Sequence, residues 1–319
     1  MLAKQSAPGH ASGKQPGGSK LIRGIRRDWR LIVLFMLPFS VLAVFHYVPM
    51  FGTMYAFQDV SLRGNFWDNE WVGFEWFIRF FQGIYAPRLI RNTLILNFWT
   101  LLGTMLSSIL LALMINEIPD GRFKRILQSS TYFPHFISVT VIVTIMRNML
   151  DPSTGVLSGM AASLFGWKPV NLFLVPGAFR PMYVLSGIWS GAGWGAIIYL
   201  GAVTGIDPTL YEAASLDGAS RLQRIWHITL PGIKAVVITL LVLNIGKMMN
   251  LGSAKILLMY NSATYETSDV ISTYVYRFGI GNAEFGLSTA VGLFNSVVNI
   301  ILLITANTLS KKLAETSLF

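Results

Sequence analysis

The chain has 319 residues, of which 53% are hydrophobic and 13% charged, and it contains no cysteine. A soluble domain carries about 25% charged residues, so this composition excludes a water-soluble globule; the missing cysteine excludes disulfides, a cysteine zinc site and a thiol nucleophile. The net charge of +10 would point to nucleic acid in a soluble protein, but beside a mean hydropathy of +0.54 it reads as membrane topology, because Lys and Arg collect in cytoplasmic loops.

Residues 1–20, MLAKQSAPGHASGKQPGGSK, lack apolar periodicity and read as a disordered cytoplasmic tail. Residues 21–30, LIRGIRRDWR, read as a short basic helix on the inner leaflet with Trp29 at headgroup level. From 31 to 319 the chain is one transmembrane domain. A hydrocarbon core of about 30 Å takes roughly 20 helical residues. Six stretches qualify, at 31–54, 93–115, 126–149, 181–204, 233–251 and 286–309, here called spans 1 to 6. Span 1 is too long for a signal-peptide core and lacks an A-x-A site, so it reads as uncleaved. With the N-terminus inside, the inner segments hold 15 Lys and Arg and the longer outer segments 10. The expectation is an all-α membrane protein of six transmembrane helices, N-in and C-in.

The outer segment 55–92 contains LRGNFWDNEWVGFEWFIRFF. Two readings stand for it: aromatic anchoring at the interface, or reception of a substrate or binding protein. Span 3 carries Pro134 and then Thr140, Thr144, Arg147 and Asp151, a spacing that places the last four on one helix face. Span 5 carries Asn244 and Lys247; span 6 carries Asn295 and Asn299. Polar groups at membrane depth tend to face a bundle interior or a water-filled cavity. Thr144, Arg147, Asn244, Lys247, Asn295 and Asn299 are therefore a candidate substrate path. Interhelical hydrogen bonding competes with that reading for the Asn residues, and snorkelling for Arg147 and Lys247. Gly187, Gly191 and Gly195 in span 4 form a small-residue ridge that lets another helix approach closely.

The sequence holds no G-x-x-x-x-G-K-[ST], no H-E-x-x-H and no G-x-S-x-G. His10, His46, His135 and His227 are scattered. No catalytic residue, metal site or cofactor of its own is expected; His135, beside Pro134, reads as structural.

Between spans 4 and 5, at 205–231, lies an organised loop containing EAASLDGASRLQRIWHITLP. Asp207-Pro208 reads as an N-cap and first helical position, and Leu210, Ala213 and Ala214 share one face of the helix that follows. Asp217-Gly218 is a turn. Ser220 starts a second helix, in which Leu222, Ile225, Trp226 and Thr229 make an amphipathic stripe, and Pro231 precedes span 5. The expectation is a helix–turn–helix flat on the inner surface. One face would rest on the bundle, with Glu212, Asp217, Arg221 and Arg224 offered to a cytoplasmic partner.

This stretch resembles the EAA loop of the membrane subunits of ATP-binding-cassette importers, E-A-A-x-x-D-G-A-x(8)-I-x-L-P. Glu212, Ala213, Ala214, Asp217, Gly218, Ala219, Ile228, Leu230 and Pro231 all match. Residues 260–299, with YVPMFGTMYAF near span 1, resemble permeases for complex oligosaccharides. The resemblance implies the type I importer permease fold in a bacterial inner membrane. The loop, with Arg221 in it, would dock into a cleft of a cytoplasmic ATPase, Glu212 meeting a basic residue there. It further implies a second homologous permease, two ATPase subunits using ATP and Mg, and an extracellular or periplasmic solute-binding protein delivering an oligosaccharide. Outer segments under about 40 residues leave no room for the large outer domain of one maltose-type partner. Arg147, Lys247, Lys255 and Arg277 would suit an anionic saccharide. The alternative is the same fold carrying peptide, amino acid or phosphate.

Overall fold

The computed structural model describes residues 18–60 and 68–314, without the side chains of 18–26, 313 and 314. The expected tail (as far as residue 17) and residues 61–67 of the aromatic outer segment lie outside the described residues. The chain divides into two units, Met1–Met54 and Tyr55–Phe319. In the first, the Gly18–Leu42 helix leaves helical geometry at Asp28 (φ −105°, ψ 16°), which separates the basic segment from span 1. Arg27 Nε donates to Asp28 Oδ1 at 3.1 Å at that break. No side chain in the most apolar stretch of this span is buried.

In the second unit four long apolar helices, Ala86–Asn116, Pro176–Thr204, Arg221–Ile245 and Phe285–Lys312, form spans 2, 4, 5 and 6. The only described strands are Gln58–Asp59 and Glu70–Trp71, an antiparallel pair closing the first outer loop.

Two expected spans are corrected. Span 3 is not one helix over 126–149: Arg122–Phe136 and Val139–Met149 meet at 99°. Pro134 turns the chain into a 3₁₀ segment, Phe133–Phe136, and Ile137 is extended (φ −78°, ψ 131°). Ser138 then caps a new helix by accepting the Val141 N–H. Asp151 is not on the face of Thr140, Thr144 and Arg147. The helix ends at Met149, and Asp151 Oδ1 accepts the Ser153 and Thr154 N–H groups at 2.9 Å.

Span 5 begins at Arg221 and ends at Ile245, not at 233 and 251. Ser220 starts it with a capping box to Gln223. A π-turn over Ile225–Thr229 then carries the helix past Pro231 without a break. The wider turn accommodates a ring that would otherwise strike the carbonyl one turn back.

The ridge on span 4 packs against span 2 in register. A Cβ on Gly187 would meet Thr100, one on Gly191 Thr104, and one on Gly195 the Ser108 hydroxyl. Ser108 Oγ also donates to the Ala192 carbonyl at 2.9 Å. On the adjacent face, a Cβ on Gly193 would overlap the Thr131 carbonyl of span 3.

Residues 261–277 fasten the outer ends of these spans. Asn92 is fully buried; its Nδ2 donates to the Glu266 and Asp269 carbonyls at 2.9 Å, and its Oδ1 accepts Arg180 Nη2 at 2.9 Å. Asp269, also fully buried, accepts two bonds from Arg277 at 3.1 and 2.9 Å, one from Thr273 Oγ1 at 2.8 Å, and one from Arg88 Nη2 at 3.4 Å.

Asp269→Ala leaves Arg88 and Arg277 partly buried beside an empty site and lowers stability by about 3 kcal/mol, read as earlier denaturation by tryptophan fluorescence in detergent. Gly193→Ala costs about 1–3 kcal/mol by overpacking, whereas Gly201→Ala, with open space around its Cβ, does not destabilise the same protein.

Candidate functional site

The 205–231 loop is built by local capping. Asp207 Oδ1 accepts the Thr209 N–H at 2.9 Å and starts the Pro208–Leu216 helix. That backbone hydrogen bond holds its carboxyl below the usual range. Gly218 adopts φ +79°, and the Ala219 N–H returns to the Ala214 carbonyl at 2.9 Å, closing the helix end. A residue with a Cβ is strained there.

The second half of the loop is therefore the first part of span 5 and not a separate flat helix. Its stripe also divides. Thr229 is buried and its hydroxyl meets Tyr211 at 3.0 Å, whereas Leu222 and Trp226 are 78% and 69% exposed. Leu216 is 90% exposed. Glu212, Ala213, Asp217, Gly218 and Arg221 are exposed with them; Ala214, Ala219 and Arg224 are half-buried; Pro231 is exposed on span 5. The free face combines apolar side chains with Glu212, where charged residues alone were expected.

A second feature is a cavity of about 650 Å³ between spans 2, 4 and 5. Asn244 and Lys247 line it, with Asn97, Thr100, Trp194 and Asn250. Lys247 lies beyond the end of its helix, in a turn closed by Lys247 N–H to Asn244 O at 3.0 Å. Among the described residues, Asn97 Nδ2 and Thr100 Oγ1 have no hydrogen-bond partner. Trp194 stacks on His135 with ring centres 4.6 Å apart. A further cavity of about 550 Å³ lies on the other side of the turn and is lined by Asn250 and Asn295.

Asn250 joins the path residues of spans 5 and 6. Its Oδ1 accepts Asn295 Nδ2 at 2.8 Å and Asn299 Nδ2 at 2.9 Å, while Asn299 Oδ1 accepts the Met249 N–H at 2.9 Å. Thr144 and Arg147 line neither cavity. The Thr144 hydroxyl donates to the Thr140 carbonyl. Arg147 Nη2 donates to the Leu258 carbonyl at 2.6 Å and its guanidinium covers Phe173 at 4.6 Å.

Three of the four cations expected to attract an anion are committed elsewhere: Arg147 to the Leu258 carbonyl and Phe173, Arg277 to Asp269, and Lys255 to the Tyr183 carbonyl at 2.8 Å. Among the described residues no group of three His, Asp or Glu is placed to hold a metal. Sequence reasoning missed Asn97, Thr100, Trp194 and Asn250. A signal existed for span 2, where Thr100, Thr104 and Ser108 repeat the spacing of the glycine ridge.

The family described as binding-protein-dependent transport system inner membrane component matches residues 103–315. Protein LplB of Bacillus subtilis (strain 168) is 41% identical over 99% of this chain and 98% of its own length. The polygalacturonan/rhamnogalacturonan transport system permease protein YteP of the same organism is 40% identical over 94% and 92%. A chain in the crystal structure of a bacterial alginate ABC transporter, in complex with an alginate pentasaccharide-bound periplasmic protein, is 38% identical with a TM-score of 0.85, covering 94% of this chain and 100% of that one. This protein belongs to the binding-protein-dependent transport system inner membrane component family, with the fold of a type I ABC importer permease.

Proposed function

We propose that this chain forms half of the translocation path of an ATP-driven importer for acidic oligosaccharides and has no catalytic site of its own. The observation that carries the reading is the exposed EAA loop, joined to a polar cavity by one unbroken helix. The substrate class is supported by similarity to a polygalacturonan/rhamnogalacturonan permease and to an alginate transporter, both named for acidic sugars. Peptide, amino acid or phosphate as cargo finds no such support in these two relatives. A second permease, two ATPase subunits consuming ATP and Mg, and a solute-binding protein complete the assembly in this reading.

In the mechanism, Glu212, Ala213, Ala214, Asp217, Gly218, Ala219 and Arg221 engage a cleft of the ATPase. Ala213 and Ala214 keep the helix surface low, and Leu216 and Leu222 supply apolar area. When the ATPases close on ATP, the two loops of the permease pair are drawn together. The Tyr211–Thr229 bond ties the loop to span 5. The Arg221–Ile245 helix, about 37 Å long at 1.5 Å per residue, carries the displacement to the turn bearing Lys247 and Asn250. That turn forms part of the cavity wall. Among the described residues Lys247 has no ion pair, so its ammonium is available to a uronate carboxylate, while Trp194 and the unpartnered Asn97 and Thr100 suit a sugar ring and its hydroxyls. Arg147, Asn295 and Asn299 support the walls through protein contacts, with Thr144 on the face of Arg147.

Two measurements test this reading. In proteoliposomes with the cognate ATPase, second permease and binding protein, Glu212→Ala and Gly218→Val uncouple ATP hydrolysis from uptake while leaving the amount of chain in the membrane unchanged. Full uptake by Glu212→Ala overturns the coupling role. Lys247→Gln raises the concentration of an oligogalacturonide needed for half-maximal uptake roughly tenfold, the loss of one charge-assisted hydrogen bond. The carboxyl-reduced oligomer is unaffected. An equal effect on both sugars removes the carboxylate from the role of Lys247.

A further inference from the structure

The connection between spans 3 and 4 is fixed at both ends and bare in the middle. At its start, Asp151 Oδ1 takes hydrogen bonds from the N–H and hydroxyl of both Ser153 and Thr154, which hold its carboxyl far below the usual range. At its end Phe173 is buried beneath Arg147, and its carbonyl accepts Asn261 Nδ2 at 2.7 Å. Between them runs the Val156–Phe165 helix, closed by Gly166, whose N–H bonds to the Ala162 carbonyl at 3.0 Å. None of its residues is buried, and Leu164, Phe165 and Trp167 are each more than two-thirds exposed. No charged residue occurs between Asp151 and Lys168.

We propose that residues 156–167 lie within the outer-leaflet interface of the bilayer as a lipid anchor. The occupant of the bare surface is lipid, for three reasons. First, the helix cannot cross: ten residues reach about 15 Å, half of a hydrocarbon core of about 30 Å. Second, the surface is continuous with the lipid-facing sides of the spans it joins. It leaves the outer end of span 3, where Ile145 and Met149 are exposed, and returns to span 4 through exposed Leu174, Val175 and Leu185. Third, its chemistry fits a bilayer better than a protein. The helix is apolar around its circumference, and its only polar side chains are those of Ser158 and Ser163, the latter donating to the Met160 carbonyl.

Trp167 and Lys168 come directly after it, an indole N–H and an ammonium suited to headgroup level. A second short outer helix, Glu75–Gln82, differs in chemistry and cover. It carries Glu75 and Arg79 and buries Phe80 in a cluster with Leu89 and Tyr274, so protein covers part of its apolar side. The 156–165 helix has neither charge nor cover. Its first-turn N–H groups lie beside the exposed Ser153–Thr154 turn, so the element sinks its side chains while its start stays at the polar surface.

Because the chain has no cysteine, single thiols report cleanly. Leu164→Cys and Phe165→Cys, each made in the full chain co-expressed with its partner subunits, are labelled with an environment-sensitive fluorophore. They are then reconstituted in phosphatidylcholine–phosphatidylglycerol vesicles. Asp120→Cys, whose side chain is 96% exposed between spans 2 and 3, serves as the aqueous reference. The expected result is loss of fluorescence with lipids brominated near the headgroup end of the acyl chain, less loss with deep bromines, and none with iodide, while Asp120→Cys gives the reverse. Quenching of the 164 and 165 labels by iodide overturns the proposal. So does insensitivity to both quenchers, which places another subunit over the helix, and so does protection that appears only when the binding protein is added.

Discussion

Spans 2 and 4 come close enough for glycine to meet threonine and serine, and the rest of the membrane unit is arranged around that contact. In a bilayer, apolar side chains gain nothing from leaving water, because they are already out of it. Helices associate through close packing and the hydrogen bonds it permits. Gly187, Gly191 and Gly195 supply the packing, and Ser108 Oγ on the Ala192 carbonyl is a bond that a larger residue at 195 would block. The same helix presents Gly193 to the Thr131 carbonyl, so span 4 is held on two sides. The cavity bearing Lys247 opens beside this seam, with Thr100 and Gly195 in its wall.

The outer ends need a different solution, because there the chain is irregular and its backbone polar groups require partners. Asn92 and Asp269 provide them. One amide satisfies two carbonyls and an arginine, and one carboxylate draws in two arginines and a threonine. Arg88, Arg180 and Arg277 are thereby used in holding the fold. The outer half has a surplus of cations by count, yet few of them remain available to a ligand.

This distinction marks the limit of what the sequence could tell. Period, length and charge bias located most of the long helices, and the glycine ridge was visible as a seam, whereas the break at Pro134 was not read and span 3 was expected as one helix. Asp207, Gly218 and Ser220 were legible because a cap or turn is decided within a few residues. What was not legible depends on distant partners. Asp269 lies eight residues from Arg277 but 181 from Arg88, and nothing local says that it neutralises them. Asn250 resembles any loop asparagine until span 6 brings Asn295 and Asn299 to it. The stripe of Leu222 and Trp226 had the period of a packed face, but periodicity cannot say whether the protein or a partner does the packing. Here Thr229 turns inward to Tyr211 and the two large residues turn out.

The continuous Arg221–Ile245 helix owes its existence to a small backbone device. Had Pro231 ended the loop helix, loop and span would have been joined by a flexible corner, and motion at one would have been lost before reaching the other. The π-turn at Ile225–Thr229 absorbs the proline and leaves a rod with a capped start at Ser220 and a turn at Gly246. The far end is gripped as firmly as the near one, since Asn299 holds the Met249 N–H and Asn250 is held from two positions on span 6. A rod fixed at both ends transmits displacement. The 99° break in span 3 does the opposite, letting its two halves take separate neighbours: the first packs under Gly193, the second carries Arg147 to Phe173 and Leu258. One proline is bridged and the other is not, and the difference lies in the π-turn before Pro231 and in the residues C-terminal to each. Pro134 is succeeded by an extended residue and a serine cap, Pro231 by an uninterrupted apolar helix.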